Sequence, residues 1–266
     1  MAFAVCAITV SPALKIAPAA TPVPAANYNT ALMEQLVVAT RAPTTAQYAT
    51  TGTAFFVSGS GDLLTVAHVV RDCDSIELIS DDLPATRATL VKANQGWDLA
   101  LLRLAESPST PPAILTFAPR IPHDQEGLSV VGYPVGSDMR HAVITPVKAL
   151  DVDGGKAKAP PYVLVLDGRT EMGDSGAPLL DSAGQVVGLL KGGYELRGSE
   201  NSAENKGGSR SIGPNHNLVD AFYRELGMGE PPVATTATSS IETSDIAERA
   251  RGAVVRVVCW RAAAPN

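Results

Sequence analysis

Short apolar segments follow one another along this chain with no stretch long enough for a crossover helix between them. They lie near residues 51–58, 63–67, 75–79, 87–93 and 99–104, then near 128–132, 141–149, 162–167, 177–180 and 185–191. Each is of strand length, and clusters of Gly, Pro, Asp and Ser bound them; 23 Gly and 20 Pro in 266 residues supply the breaks. Parallel strands need a crossover of about a dozen residues or more, usually a helix. The pattern therefore predicts an all-β, antiparallel sandwich or barrel. The Pro-rich stretch 105–122 (AESPSTPPAILTFAPRIP) interrupts the train and reads as a connector between two β units.

Hydrophobic residues make up 45% of the chain and charged residues 18%, enough to bury a core and too apolar for a disordered chain. Asp plus Glu is 27 against 21 Lys plus Arg, so there is no basic excess to attract nucleic acid. No apolar run approaches the ~20 residues of a membrane-spanning helix. Cys6, Cys73 and Cys259 are too few for a disulfide framework. Cys73 and Cys259 read as free or buried thiols, with a bond between them as the alternative, and the fold is expected to rest on its core.

The flanks are less regular. Residues 1–28 are rich in Ala and Pro, with a short apolar stretch from Ala2 to Val10 and small-residue sites at 17–19 and 23–25. This is the outline of a signal peptide without its basic start, so the segment is either the leader of a secreted or periplasmic protein or a flexible tail of a cytoplasmic one. A helix-like ALMEQL follows. Residues 195–211 are polar and rich in Gly and Ser, and read as a loop. Residues 217–226 read as a helix capped by Asn217 with Asp220 behind it, with Leu218, Phe222 and Leu226 as its buried stripe and Gly227 closing it. Residues 228–243 read as a linker, and 244–266 as a short helix, capped by Asp245 with Glu248, followed by a strand.

The chemistry concentrates in MGDSGAP, residues 172–178. A serine between glycines, on a turn that opens into an apolar strand, suits a nucleophile. Gly173 lets the turn aim its own N–H and that of Ser175 into one hole, where they can bind a developing oxyanion. A serine hydroxyl is a weak nucleophile and needs a base oriented by a third group. His68 stands at the end of the apolar LLTVAHVV, and Asp98 at the start of WDLALLRL. His123, His141 and His216 have no evident acid partner or metal-ligand spacing and read as surface or structural residues. No metal or organic cofactor is expected.

TGTAFFVSGSGDLLTVAHVV, WDLALLRL, VVGYPVG and GDSGAPLLDSAGQVVGLLKGG together resemble the chymotrypsin-fold, or trypsin-like, serine proteases. The resemblance is to the bacterial Deg/HtrA-type branch above all, and it covers roughly residues 29–227. It implies a protease domain of two packed antiparallel β-barrels, about 29–118 and 119–213, followed by the short helix. It implies Ser175 as nucleophile, His68 as general base and then acid, and Asp98 as the group that orients the imidazole. Gly173 and Ser175 would form the oxyanion hole. The expected activity is endopeptidase cleavage of polypeptides through an acyl-enzyme. An esterase with the same triad and a binding module that keeps the fold are the alternatives.

The family lines its specificity pocket just before the serine and along the strand after it, which here gives Arg169 and Thr170, then Leu190, Lys191, Gly192 and Gly193. Inward-pointing Arg169 and Lys191 would favour an acidic side chain; turned to solvent they would leave a plain apolar pocket. A peptide-binding domain of the Deg type is not expected in the residues after 227. Residues 244–266 resemble the opening of a Deg protease domain. They read either as the start of a truncated second domain or as an added edge strand. The sequence does not fix the oligomeric state.

Overall fold

The computed structural model describes residues 46–137, 140–150, 161–195, 209–234 and 240–262. The expected leader, the ALMEQL helix and the middle of the 195–211 loop lie outside these residues. The described residues belong to one compact unit, Ala39–Asn266.

Two antiparallel β units carry the fold. The first is a closed barrel, built from β1 (Ala46–Phe56), β2 (Asp62–Thr65), β3 (Ser75–Ile79), β4 (Thr86–Asn94), β5 (Leu99–Leu104) and β13 (Val254–Ala262), in the order β1-β13-β3-β4-β5-β2. The second is a seven-stranded sheet made of β6 (Gly127–Gly132), β7 (Val143–Leu150), β8 (Val163–Asp167), β9 (Pro178–Leu180), β10 (Val186–Leu189), β11 (Gly192–Glu195) and β12 (Ser209–Pro214). Its order is β10-β9-β6-β7-β8-β12-β11, and a bridge between Gly188 and Asn215 curls one end back toward the other. Helices α1 (His216–Glu225) and α2 (Thr243–Ala250) follow.

Strand alternation assigns the faces. Ala54, Phe56, Leu63, Leu78, Leu102, Val255 and Val257 fill the barrel. Leu128, Val130, Val147, Leu166, Leu179 and Val187 fill the second unit. Between the units, Phe55, Leu101, Phe117, Tyr133, Leu180, Phe222 and Val254 form a third core. Strands β1 and β13 are therefore buried on both faces. The Pro-rich connector threads this seam: Leu115 N–H donates to the Phe56 carbonyl, and Ala118 N–H to that of Val186.

The C-terminal strand is neither detached nor at an edge. It pairs with β1 from Ala46↔Ala262 to Phe55↔Val254, and with β3 from Ser75↔Trp260 to Ile79↔Arg256. Its approach is fixed along the way. Ala234 N–H donates to Phe117 and Ile241 N–H to Ser182, and the Arg249 guanidinium reaches the Ala183 carbonyl.

Four local expectations are corrected. Cys73 and Cys259 are joined in a disulfide, not free, because the slot between β1 and β3 brings Cys259 beside the turn that carries Cys73. Helix α1 starts earlier than its pattern suggests: Asn215, not Asn217, is the cap, and its side chain accepts the Leu218 N–H. Asp245 lies in the first turn of α2, and Glu242 occupies the cap position without a side-chain bond. Glu195 and residues 209–211, the described ends of the stretch read as a polar loop, belong to strands β11 and β12, which pair.

Candidate active site

His68 lies within a tight turn after β2, in which Val69 N–H donates to the Val66 carbonyl and Val70 N–H to that of Ala67. Asp98 precedes β5 with φ 57°, a left-handed conformation uncommon for an aspartate. Strands β2 and β5 are neighbours, so the two meet. The Asp98 carboxylate holds His68 at two points: Oδ1 accepts the His68 main-chain N–H at 2.9 Å, and Oδ2 lies 2.8 Å from Nδ1. Among the described residues, His68 Nε2 makes no hydrogen bond. Burial pushes the Asp98 carboxyl up, but the His68 hydrogen bonds and charge, with help from Lys191, outweigh it and hold the group below the usual carboxylate range.

Ser175 sits on the turn before β9. Gly173, at φ 98°, and Gly176, at φ 90°, frame it in conformations that L side chains rarely adopt. A Cβ at Gly173 would strike the Tyr133 carbonyl oxygen, and one at Gly176 would strike that of Thr53. The turn is tied to the barrel: Thr53 N–H donates to the Ser175 carbonyl at 2.8 Å, and Thr53 Oγ1 donates to the Gly173 carbonyl at 2.8 Å. Among the described residues, the Gly173 and Ser175 N–H groups have no protein acceptor. That arrangement can take a negatively charged oxygen.

His68 and Asp98 are thus in direct contact, and Ser175 approaches them through Lys191. Ser175 Oγ donates to the Lys191 carbonyl at 3.2 Å, while Lys191 Nζ lies 3.5 Å from Asp98 Oδ2. Among the described residues, no hydrogen bond joins Ser175 to His68.

The remaining candidates diverge. Arg169 is three-quarters exposed and pairs with Glu171 at 2.8 Å. Thr170 Oγ1 shares a 2.9 Å hydrogen bond with Ser211 Oγ, facing Gly193. Leu190 is buried in the second core, and Gly192 borders open space. Sequence reasoning missed Thr53, Ser211 and the reach of Lys191. Thr53 had a signal, since it lies in the first matching stretch, TGTAFF. Among the described residues, no group of three or more His, Cys, Asp or Glu could hold a metal ion.

The trypsin-like peptidase domain matches residues 52–189, which include His68, Asp98 and Ser175. The chain belongs to the trypsin-like peptidase family. It is 31% identical over 187 residues to the serine protease Rv3671c of Mycobacterium tuberculosis, covering 65% of this chain and 46% of that protein. It is 31% identical over 140 residues to a probable periplasmic serine endoprotease, DegP-like, of Ectopseudomonas mendocina, covering 52% of this chain and 28% of that one. The chain spans less than half the length of these curated relatives. The crystal structure of the Rv3671c protease in its active form aligns with a TM-score of 0.52 at 25% identity, over 88% of this chain and 99% of that one. The chymotrypsin-like pair of β units expected of trypsin-like peptidases is the observed architecture.

Proposed function

We propose that this chain is a serine endopeptidase that cleaves polypeptides through an acyl-enzyme, with His68, Asp98 and Ser175 as its triad. The observation that carries the reading is the two-point grip of Asp98 on His68. It places a proton on Nδ1 and leaves Nε2 as a base. The Ser175 hydroxyl turns from the Lys191 carbonyl to Nε2, gives up its proton there and attacks the scissile carbonyl carbon. The Gly173 and Ser175 N–H groups receive the oxygen as it becomes charged, and Asp98 stabilises the imidazolium. Nε2–H then protonates the leaving amine, and water repeats the sequence to free the acid.

Arg169 turned toward Glu171 supports a pocket for small uncharged side chains rather than acidic ones, lined by Thr170, Ser211 and Gly193. The Cys73–Cys259 bond and the periplasmic relative support a location outside the cytoplasm, where disulfides persist.

A fluorophosphonate probe tests the reading. It should label Ser175, as located by peptide mapping, and Ser175→Ala should abolish both labelling and peptide hydrolysis. Absence of labelling in the folded wild type would overturn the reading, and hydrolysis of esters but not peptides would replace it with an esterase.

A further inference from the structure

Arg256 is an arginine in the apolar strand VVRVVCW, and it is only 4% exposed. It lies between Thr53 on β1 and Ile79 on β3. A guanidinium withdrawn this far from water needs compensation from its surroundings. The Tyr133 ring supplies part of it, with the guanidinium carbon 5.5 Å from the ring centroid. Tyr133 is fastened to the same strand, since its hydroxyl donates to the Val254 carbonyl at 3.2 Å.

From Tyr133 the contacts lead to the nucleophile turn. Tyr133 N–H donates to Thr53 Oγ1 at 3.1 Å, and that hydroxyl donates to the Gly173 carbonyl at 2.8 Å. Gly173 itself packs on the Tyr133 carbonyl oxygen. Next along the chain, Asp174 is 2% exposed; its Oδ2 accepts the Glu171 N–H at 2.9 Å, and its Oδ1 lies against Gly132. Burial pushes the Asp174 carboxyl up to about 6; Glu171 on its own loop adds to the push, and Arg256 pulls it down. Asp81 and Asp82, after β3, are the acids that act on Tyr133.

We propose that Arg256 is a positioning residue for the peptidase reaction: from the C-terminal strand it holds the Tyr133 ring, and through Tyr133 and its cross-strand neighbour Thr53 it aims the Gly173 and Ser175 N–H groups. The site is then incomplete without β13, although the triad lies elsewhere in the sequence. The inference rests on Ser175 being the nucleophile.

The full chain and its Arg256→Gln, Arg256→Lys and Tyr133→Leu variants test it by two readouts. The first is the amide nitrogen-15 NMR shifts of Gly173 and Ser175, which need no activity. They should move in Arg256→Gln and return toward wild type in Arg256→Lys. The second is steady-state peptide hydrolysis, in which kcat should fall roughly ten- to a hundredfold in Arg256→Gln with KM little changed, as expected for a misaimed oxyanion donor. Arg256→Lys should recover part of the loss. If Arg256→Gln does not fold, Tyr133→Leu should still show the kcat loss, because it removes the ring and keeps the cation. Unmoved amide shifts, or unchanged kcat in both Arg256→Gln and Tyr133→Leu, overturn the proposal. Amide shifts that move in Arg256→Gln while the folded wild type neither labels nor hydrolyses would overturn the peptidase reading and leave the hold on the turn standing.

Discussion

Asp98, in the closed barrel, and Asp174, in the turn before β9, are both almost fully buried, yet their carboxyls are driven in opposite directions. Asp98 is surrounded by donors: the His68 main-chain N–H, the His68 ring and the Lys191 ammonium. They more than offset the cost of burial. Asp174 has the Glu171 N–H, and its cation arrives on β13, more than eighty residues later in sequence. The half of the site with the candidate base is secured by neighbours on β2, β5 and the turn after β10. The half with the candidate nucleophile depends on a strand from the far end of the chain. A charged group beside a reacting centre is stabilised wherever donors are dense, and is left near its titration point where they are sparse.

Removing the chemistry should have the largest effect. Ser175→Ala and His68→Ala should each lower kcat/KM for peptides by on the order of 10⁴- to 10⁶-fold, and the double variant should lose little more. Losses that multiplied would show that the two residues do not act as one unit.

The next effect separates the barrel from the sheet. Replacing both Cys73 and Cys259 by Ser should cost about 2–4 kcal/mol, because the bond closes a loop with a sequence separation of 186. Calorimetry should show the midpoint falling by roughly 5–15 °C.

A third effect contrasts the two aspartates through pH. Asp98 has a lowered pKa, so it adds stability that is present above its unfolded value and lost as pH falls through the folded one. Asp174, raised from 3.8 to about 6, keeps its proton in the folded chain where the unfolded chain has released it. Its contribution therefore falls as pH rises through that window and is level above it. Denaturant titrations should show wild type losing up to about 3 kcal/mol relative to Asp174→Asn across that range. The comparison with Asp98→Asn should slope the other way.

The smallest effect belongs to Lys191, which is 45% exposed beside Asp98. Lys191→Met should change kcat/KM by less than about fivefold, and the change should shrink at high salt, as for other solvated pairs. A large, salt-independent loss would mean that Lys191 does more than share Asp98 with the imidazole.

How far the sequence discloses this arrangement depends on how local each signal is. Short apolar runs such as LLTVAHVV and WDLALLRL announce their strands because nearly every residue in them is buried. The glycines around Ser175 announce their turn because no other residue fits there. The strand at 209–214 is hidden, since SRSIGP is polar and gains its order only from β8 and β11. The start of α1 is misplaced because Asn215 and Asn217 are equally good caps, and tertiary bonds of Asn215, from its side chain to the Pro161 carbonyl and from its N–H to that of Tyr162, select between them. The place of β13 is the least legible feature. A strand pattern at 254–262 says that a strand forms but not which slot it enters. Its pairing with β1 is set by partners some two hundred residues away in the chain, as is the Cys73–Cys259 bond that follows from it. Arg256 was visible as one base in an apolar run, and only the tertiary fold gives it Tyr133 to lie against.

In completing the barrel of its own chain, β13 brings Cys259 to Cys73 and Arg256 to the Tyr133 ring. Non-reducing peptide mapping of the purified monomer, with free thiols alkylated before digestion, tests this placement most directly. The Cys73 and Cys259 peptides should be recovered joined to each other from a single chain. Recovery of both as alkylated thiols, or joined only in a covalent dimer, would contradict it.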